Sequence, residues 1–255
     1  MSEVTFDFEG RNFAVIGASS GMGRQVAEEL ALAGANVLAV GRDKTRLLEL
    51  QSLEPERISC VQLDVISAGK SEWIEVLDAF VAANGKLNGG VYAAGITALT
   101  PLRLFDDELA QRILSTSLWG WIHFLQYVSK KRFSMPGASY VVFSSAGADS
   151  AESGMTAYDA AKAGVRAAMK VAALELSKKS HRVNSISPGW VGTRMTQQYD
   201  NEAGASKRVF DRHLLGLGKP EDVSGMVLFL LSDRARWITG ADILVDGGYL
   251  RGAYR

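Results

Sequence analysis

Short apolar runs and longer amphipathic stretches alternate along this chain from end to end. Phe13-Ala14-Val15-Ile16 is an unbroken apolar run and predicts a strand covered on both faces. Met22 to Ala33 places Val26, Leu30 and Ala33 at helical spacing, and Gly34 follows as a stop. The same pattern predicts strands at Asn36–Val40, Ile58–Leu63 and Gly90–Ala94, with helices over Arg42–Leu53 and Gly69–Ala83. The second half predicts a long helix over Asp106–Lys130, a strand at Ser139–Ser144, a long helix over Ala157–Lys178 and a strand at Arg182–Ser187. A helix over Pro220–Leu231, opened by its proline, and a strand at Asp242–Val245 complete the set. Such alternation is the signature of an α/β fold: a Rossmann-type, doubly wound parallel sheet with helices on both faces. No Pro/Gly/Ser-rich linker divides residues 1–255, which therefore read as a single domain. Residues 192–218 are polar and weakly periodic, and predict an excursion over a substrate site.

Composition narrows the function classes. Hydrophobic residues make up 47% of 255, enough for a sizeable core. The 28 basic and 28 acidic residues cancel, which removes the basic field that a general nucleic-acid or membrane-surface binder needs. One cysteine, Cys60, permits no internal disulfide, and its place in Ile58–Leu63 makes it a strand filler. No run nears the roughly 18 apolar residues of a membrane span. Met1 to Gly10 is acidic and lacks a signal-peptide core. The default expectation is a cytoplasmic enzyme with neither a nucleic-acid nor a membrane partner. His123, His181 and His213 share no metal spacing, so no catalytic metal is expected.

Two constellations carry chemistry. The first strand runs into Gly17-Ala18-Ser19-Ser20-Gly21-Met22-Gly23 and then a helix. Glycines let the backbone turn sharply against a pyrophosphate, and the helix start offers it free N–H groups. At the end of the second strand stands Arg42, where a cation accommodates a 2′-phosphate and an acid would hold a 2′-hydroxyl. NADP(H) is therefore the preferred cofactor and NAD(H) the alternative; Asp43 is read as a helix cap. The second constellation is Tyr158 and Lys162, four apart and so on one helix face. A neighbouring ammonium favours phenolate, which lets Tyr158 exchange a proton with a carbonyl or alcohol oxygen.

Together GASSGMG and Tyr158-x-x-x-Lys162 resemble the short-chain dehydrogenase/reductase family, over nearly the whole chain from Gly17 to Val245-Asp246-Gly247-Gly248. The resemblance leans toward the 3-oxoacyl-carrier-protein reductase-like members. It implies a loop of Gly17, Ser19, Ser20, Gly21, Met22 and Gly23 around the cofactor, with Asp64 and Val65 at the adenine. It also implies cofactor contacts from Ala94 and Gly95, from Tyr158 and Lys162, and from Pro188, Gly189, Val191 and Thr193. Ser145, 13 residues before Tyr158, matches the catalytic serine, with Ser144 as the adjacent alternative. Three positions depart from the pattern. Ile16 replaces a threonine, Tyr92 and Ala93 replace two asparagines, and Ser117 stands where a catalytic asparagine seats a proton relay.

The implied reaction is carbonyl–alcohol interconversion by direct hydride transfer on a small-molecule substrate, in a homo-oligomer, tetramer or dimer. Tyr158 would be acid and base, Lys162 would lower its pKa, Ser145 would position the oxygen and Ser117 would join the relay. Ser117, Tyr92 and Ala93 also admit a catalytically impaired nicotinamide-binding sensor or partner protein. Epimerisation or dehydration on the same fold is a third reading. The substrate pocket is expected from Ile96–Leu102, Ala146–Met155 and Trp190–Leu215, with Trp190, Met195 and Tyr199 as apolar wall.

Overall fold

A strand that is apolar on both sides must be covered on both sides. The computed structural model describes residues 4–197 and 211–252 and shows how the chain does this. Among these residues seven strands form one parallel sheet in the order β3-β2-β1-β4-β5-β6-β7. They are β1 (Asn12–Ile16), β2 (Asn36–Gly41), β3 (Ile58–Gln62), β4 (Leu87–Tyr92), β5 (Ser134–Phe143), β6 (Arg182–Pro188) and β7 (Asp242–Val245). Helices α1 (Gly21–Leu32), α2 (Lys44–Gln51), α3 (Lys70–Asn84), α4 (Asp107–Leu114) and α5 (Gly120–Val128) alternate with the first strands. Then come α6 (Gly147–Ser150), α7 (Thr156–Leu176), α8 (Arg194–Gln197), α9 (Pro220–Leu231) and α10 (Tyr249–Gly252).

Alternate residues of each strand feed two separate cores. Phe13, Val15, Val37, Ala39 and Val141 face Val26 and Leu30 of α1 and Val223 and Val227 of α9. Ala14, Ile16, Leu38, Val40 and Val142 face Trp73 and Leu77 of α3, Trp121 and Phe124 of α5, and Val165 and Met169 of α7. Each core is closed by helices, which is the doubly wound arrangement expected from the pattern. Strand order reverses between β1 and β4, and a crevice opens beyond their carboxyl ends.

Element boundaries agree with the pattern to within a few residues, with two instructive differences. The helix expected over Asp106–Lys130 is interrupted by a π-turn at Ser115–Trp119, where Gly120 N–H donates to the Ser115 carbonyl. One extra residue in one turn shifts the helix face without breaking its periodicity, so the pattern hides it. β5 starts at Ser134, five residues before the expected Ser139, because Pro136-Gly137 reads as a turn and is in fact an irregularity inside a paired strand. Cys60 is half-buried in β3; its thiol donates to the Leu47 carbonyl at 3.0 Å, and burial pushes it up to about 11. Of the expected excursion, residues 198–210, Tyr199 included, lie outside the described residues. Among the described residues no helix is long and apolar enough to cross a membrane. Among the described residues no group of three or more His, Cys, Asp or Glu is placed to hold a metal ion.

The second sheet face is tied to α9 by a buried cation. Arg182, 8% exposed, donates from Nη1 to the Leu230 carbonyl at 2.7 Å and from Nη2 to the Ser232 carbonyl at 3.0 Å. These are carbonyls at the helix end, where a positive charge also meets the negative end of the dipole. Arg182→Met keeps the stem and strands the Ser232 oxygen, while the Leu230 oxygen keeps only the Ser139 hydroxyl, at 2.8 Å. Its urea midpoint should fall at unchanged slope, corresponding to about 2–3 kcal/mol; an unchanged midpoint would refute this account of the α9 anchor.

Candidate active site

The glycine loop owes its shape to close packing against the end of β4. Gly17 has φ 85°, and a Cβ there would stand 2.7 Å from the Ala94 nitrogen. A Cβ on Gly23 would overlap the Gly17 carbonyl. The loop therefore lies flat on β4, held by Gly17 and Ala18 N–H donating to the Val40 carbonyl at 2.8 and 3.0 Å. Ser20 precedes α1 in extended conformation and makes no side-chain cap, and the first turn carries no acid. The N–H groups at this helix start are left to whatever occupies the cleft in front.

That cleft collects most of the residues the loop motif implicates. Gly17, Ser19, Ser20, Gly21, Met22, Gly23, Arg42, Asp64, Val65, Ala94, Gly95 and Thr193 all line it. Arg42 is exposed at its mouth beside Ser19 and Ser20. Asp43 borders the same mouth, but its carboxylate is engaged: it caps α2, accepting from Arg46 N–H at 3.2 Å, and pairs with the Arg46 guanidinium at 3.3 Å. Asp64 is both turn-former and wall, since Oδ1 accepts from Ile66 N–H at 2.9 Å.

A second cavity adjoins the first, with Met195 in both walls. Ser145 and Tyr158 line it, together with Thr97, Met155, Trp190 and Thr196. Pro188 and Gly189 line this cavity, while Val191 is buried in the core. Ser145 Oγ accepts from Gly147 N–H at 3.0 Å. Ser144 is turned inward and donates to the Lys162 carbonyl at 2.9 Å, so of the two serines Ser145 is the one presented to the cavity. Lys162 is buried; its Nζ donates to the Phe143 carbonyl at 2.8 Å and lies 5.6 Å from the Tyr158 ring centre. Burial pushes the ammonium down to about 8.

Ser117 lies in the π-turn, 1% exposed, and its Oγ has no hydrogen-bond partner. A Cβ on Gly95 would stand 3.6 Å from both Ser117 Oγ and Lys162 Nζ, so both face one small space. The departure at Tyr92 finds its reason here. Tyr92 is buried beneath α5, its hydroxyl donating to the Thr116 carbonyl at 2.6 Å. Burial, and then the charge of Asp64, push this phenol up, which keeps it a donor. The residue thus secures the π-turn instead of facing the crevice.

Sequence reasoning missed Asp159 and Tyr249 as walls of the second cavity; Pro188 and Gly189, which it assigned to the cofactor, line this cavity as well. Asp159 directly follows Tyr158, and nothing in the linear pattern says which way it points. Tyr249 comes from α10 and arrives from the far end of the chain.

Comparison with known proteins bears on the family and the fold. The family model described as enoyl-(acyl carrier protein) reductase matches residues 17–250. The chain is 30% identical to the short chain dehydrogenase/reductase astE of Aspergillus oryzae, over 97% of both chains. It is 32% identical to the 3-oxoacyl-[acyl-carrier-protein] reductase FabG of Thermotoga maritima, covering 94% of this chain and 98% of that one. The solved structure of a short-chain type dehydrogenase/reductase from Mycobacterium ulcerans superposes with a TM-score of 0.88 at 32% identity, over 96% of this chain and 92% of the other.

Tyr92 and Gly120 form a testable couple, because a Cβ on Gly120 would overlap the Tyr92 hydroxyl. Tyr92→Phe should cost about 1–2 kcal/mol by stranding the Thr116 carbonyl. Gly120→Ala should cost more, and the double variant less than the sum of the two, in urea unfolding. Strict additivity would sink the coupling.

Proposed function

The chain belongs to the short-chain dehydrogenase/reductase family, and we propose that it interconverts a carbonyl and a secondary alcohol with NADP(H), with Tyr158 as acid and base. The observation that carries this reading is the shared cavity of Ser145 and Tyr158, with a buried lysine ammonium at the tyrosine ring. Enzymes of this family are oxidoreductases that use NAD(P)(H). The first cleft fits such a dinucleotide: Gly17 and Gly23 let the loop lie flat against β4 beneath it, and the α1 N–H groups await an anion. Gly17, Ser19, Ser20, Gly21, Met22 and Gly23 would hold its pyrophosphate, and Asp64 and Val65 its adenine. Arg42, exposed and without a carboxylate partner among the described residues, would take a 2′-phosphate. Ala94, Gly95, Pro188, Gly189, Val191 and Thr193 would border the nicotinamide half. When bound, the nicotinamide donates or accepts the hydride.

The chain's own residues manage the proton and the oxygen. Ser145 Oγ holds the substrate oxygen in the cavity. In reduction Tyr158 donates its hydroxyl proton to that oxygen and is left as phenolate. The Lys162 ammonium stabilises this phenolate by its charge, and the Phe143 carbonyl fixes where that charge sits. Ser117 Oγ, unpartnered and facing the same space as Lys162 Nζ, serves as the inner member of the proton relay. Reduction is the preferred direction because Arg42 selects the cofactor that is held reduced.

A ketone and aldehyde panel with NADPH oxidation as readout tests the reaction. Tyr158→Phe should lose about a thousandfold in kcat. The pH profile carries a sign: Lys162 releases its proton near 8, below the ordinary lysine value, so kcat/KM for reduction should decline as pH rises through about 8. Tight NADPH binding with no turnover of any substrate would favour the sensor reading instead.

Cofactor choice is tested separately. Arg42→Ala should raise the KM for NADPH by about tenfold to a hundredfold while leaving that for NADH within about twofold. Equal changes for both cofactors would count against a 2′-phosphate site at Arg42.

A further inference from the structure

Two carboxylates face the cavity in front of Tyr158, and the reaction proposed above uses neither. Asp159 and Glu152 line it together with Ser145, Gly147 and Tyr158. Asp159 Oδ1 is shut off from solvent and has no hydrogen-bond partner. A methyl group placed on Gly147 would stand 2.9 Å from that oxygen and 3.1 Å from Ser145 Oγ. The orphan oxygen and the hydroxyl assigned to the substrate oxygen therefore look into the same few ångströms, and glycine at 147 leaves that space open.

Charge narrows what belongs there. Burial, and next the charge of Glu152, push the Asp159 carboxyl up to about 6, so it is still ionised at neutral pH. Glu152 is also raised by burial, opposed by Arg212, whose guanidinium is stacked 4.1 Å over the Tyr249 ring. No cation among the described residues forms an ion pair with Asp159 or Glu152. The Glu152 backbone N–H supports the Asp159 carboxylate but leaves Oδ1 without a donor; a shielded oxygen of that kind is costly, and a further hydrogen-bond donor relieves that cost. A neutral hydroxyl would satisfy Oδ1 but leave two like charges on one cavity. A cation satisfies the oxygen and offsets the repulsion. A substrate bearing a carboxylate or phosphate would add a third negative charge.

We infer that the preferred carbonyl substrate carries a protonated amine about one or two carbons from its carbonyl, bound by Asp159 with Glu152 beside it. This rests on the carbonyl-reductase reading, and the experiment separates the two. With NADPH in excess, kcat/KM is compared for 4-(dimethylamino)butan-2-one, its neutral isostere 5-methylhexan-2-one, 4-hydroxybutan-2-one and 4-oxopentanoate. The amino ketone should exceed the neutral isostere by about thirtyfold, with 4-oxopentanoate poorest. Asp159→Asn should bring that ratio to about threefold or less, mainly through KM, and Glu152→Gln should reduce it in the same direction. In parallel, calorimetry reads 4-(dimethylamino)butan-2-ol binding to the NADPH-loaded protein, which cannot turn the alcohol over. Parity of the isostere or the hydroxy ketone with the amino ketone overturns the inference and leaves the reductase standing. So does a ratio unmoved by Asp159→Asn. If no ketone reacts but the amino alcohol binds and Asp159→Asn abolishes its binding, the reductase reading falls and the cation site stands. Absence of amino alcohol binding overturns the site.

Discussion

The site depends on keeping a lysine charged inside the protein. Lys162 is buried, and an ammonium in that position is tolerated only where hydrogen-bond acceptors meet it. The acceptor is the Phe143 carbonyl at the end of β5. The next residue returns the bond, since Ser144 Oγ donates to the Lys162 carbonyl. These two bonds staple the mouth of β5 to α7 in both directions. Ser145 leaves β5 one residue beyond the staple, and Tyr158 sits one turn earlier on α7. Their common cavity thus follows from satisfying one charge and one helix carbonyl. Burial also lowers the lysine value toward neutrality, so the group that demands the staple is also the one whose charge responds within the assay range.

The departures from the family pattern compensate one another. Tyrosine at 92 goes into the core between β4 and α5 instead of the crevice, and there its ring lies tilted against Phe124. A buried phenol needs a partner. It finds the Thr116 carbonyl, which sits in the π-turn, and Gly120 opens the space its hydroxyl occupies. The π-turn in turn directs Ser117 toward Gly95 and Lys162. Serine at this position reaches less far than asparagine, and its hydroxyl has no protein partner. The changes at 92 and 117 are thus two ends of one local arrangement.

Much of this was legible in the sequence, and what was not has a physical reason. Strand runs and helix faces were readable because both faces of the sheet are buried and each helix is apolar on one side. The glycine loop was readable because close packing forbids any side chain at Gly17 and Gly23. Tyr158 and Lys162 were readable because four residues make one helical turn. The π-turn at Ser115–Trp119 was hidden, since it alters register and leaves composition untouched. The start of β5 was hidden because Pro136-Gly137 signals a turn whether or not the strand continues past it. Arg182 under α9 was invisible because its partners are backbone carbonyls about fifty residues away.

Reaction type and substrate are written at different ranges of the chain. The proposed proton chemistry needs groups one turn apart on α7 and a neighbouring strand end, so local spacing nearly determines it. The walls of the proposed substrate cavity include Thr97, Glu152, Asp159, Trp190, Met195 and Tyr249, on segments joined only by the fold. Asp159 belongs to both ranges. Adjacent residues on a helix point about 100° apart, yet Tyr158 and Asp159 border the same cavity, where Gly147 of α6 leaves the space between Asp159 and Ser145 open. Whatever Asp159 holds is therefore held in a fixed relation to the tyrosine hydroxyl. Selectivity exercised there acts on how the reacting oxygen is presented, and cannot be separated from the geometry of proton transfer.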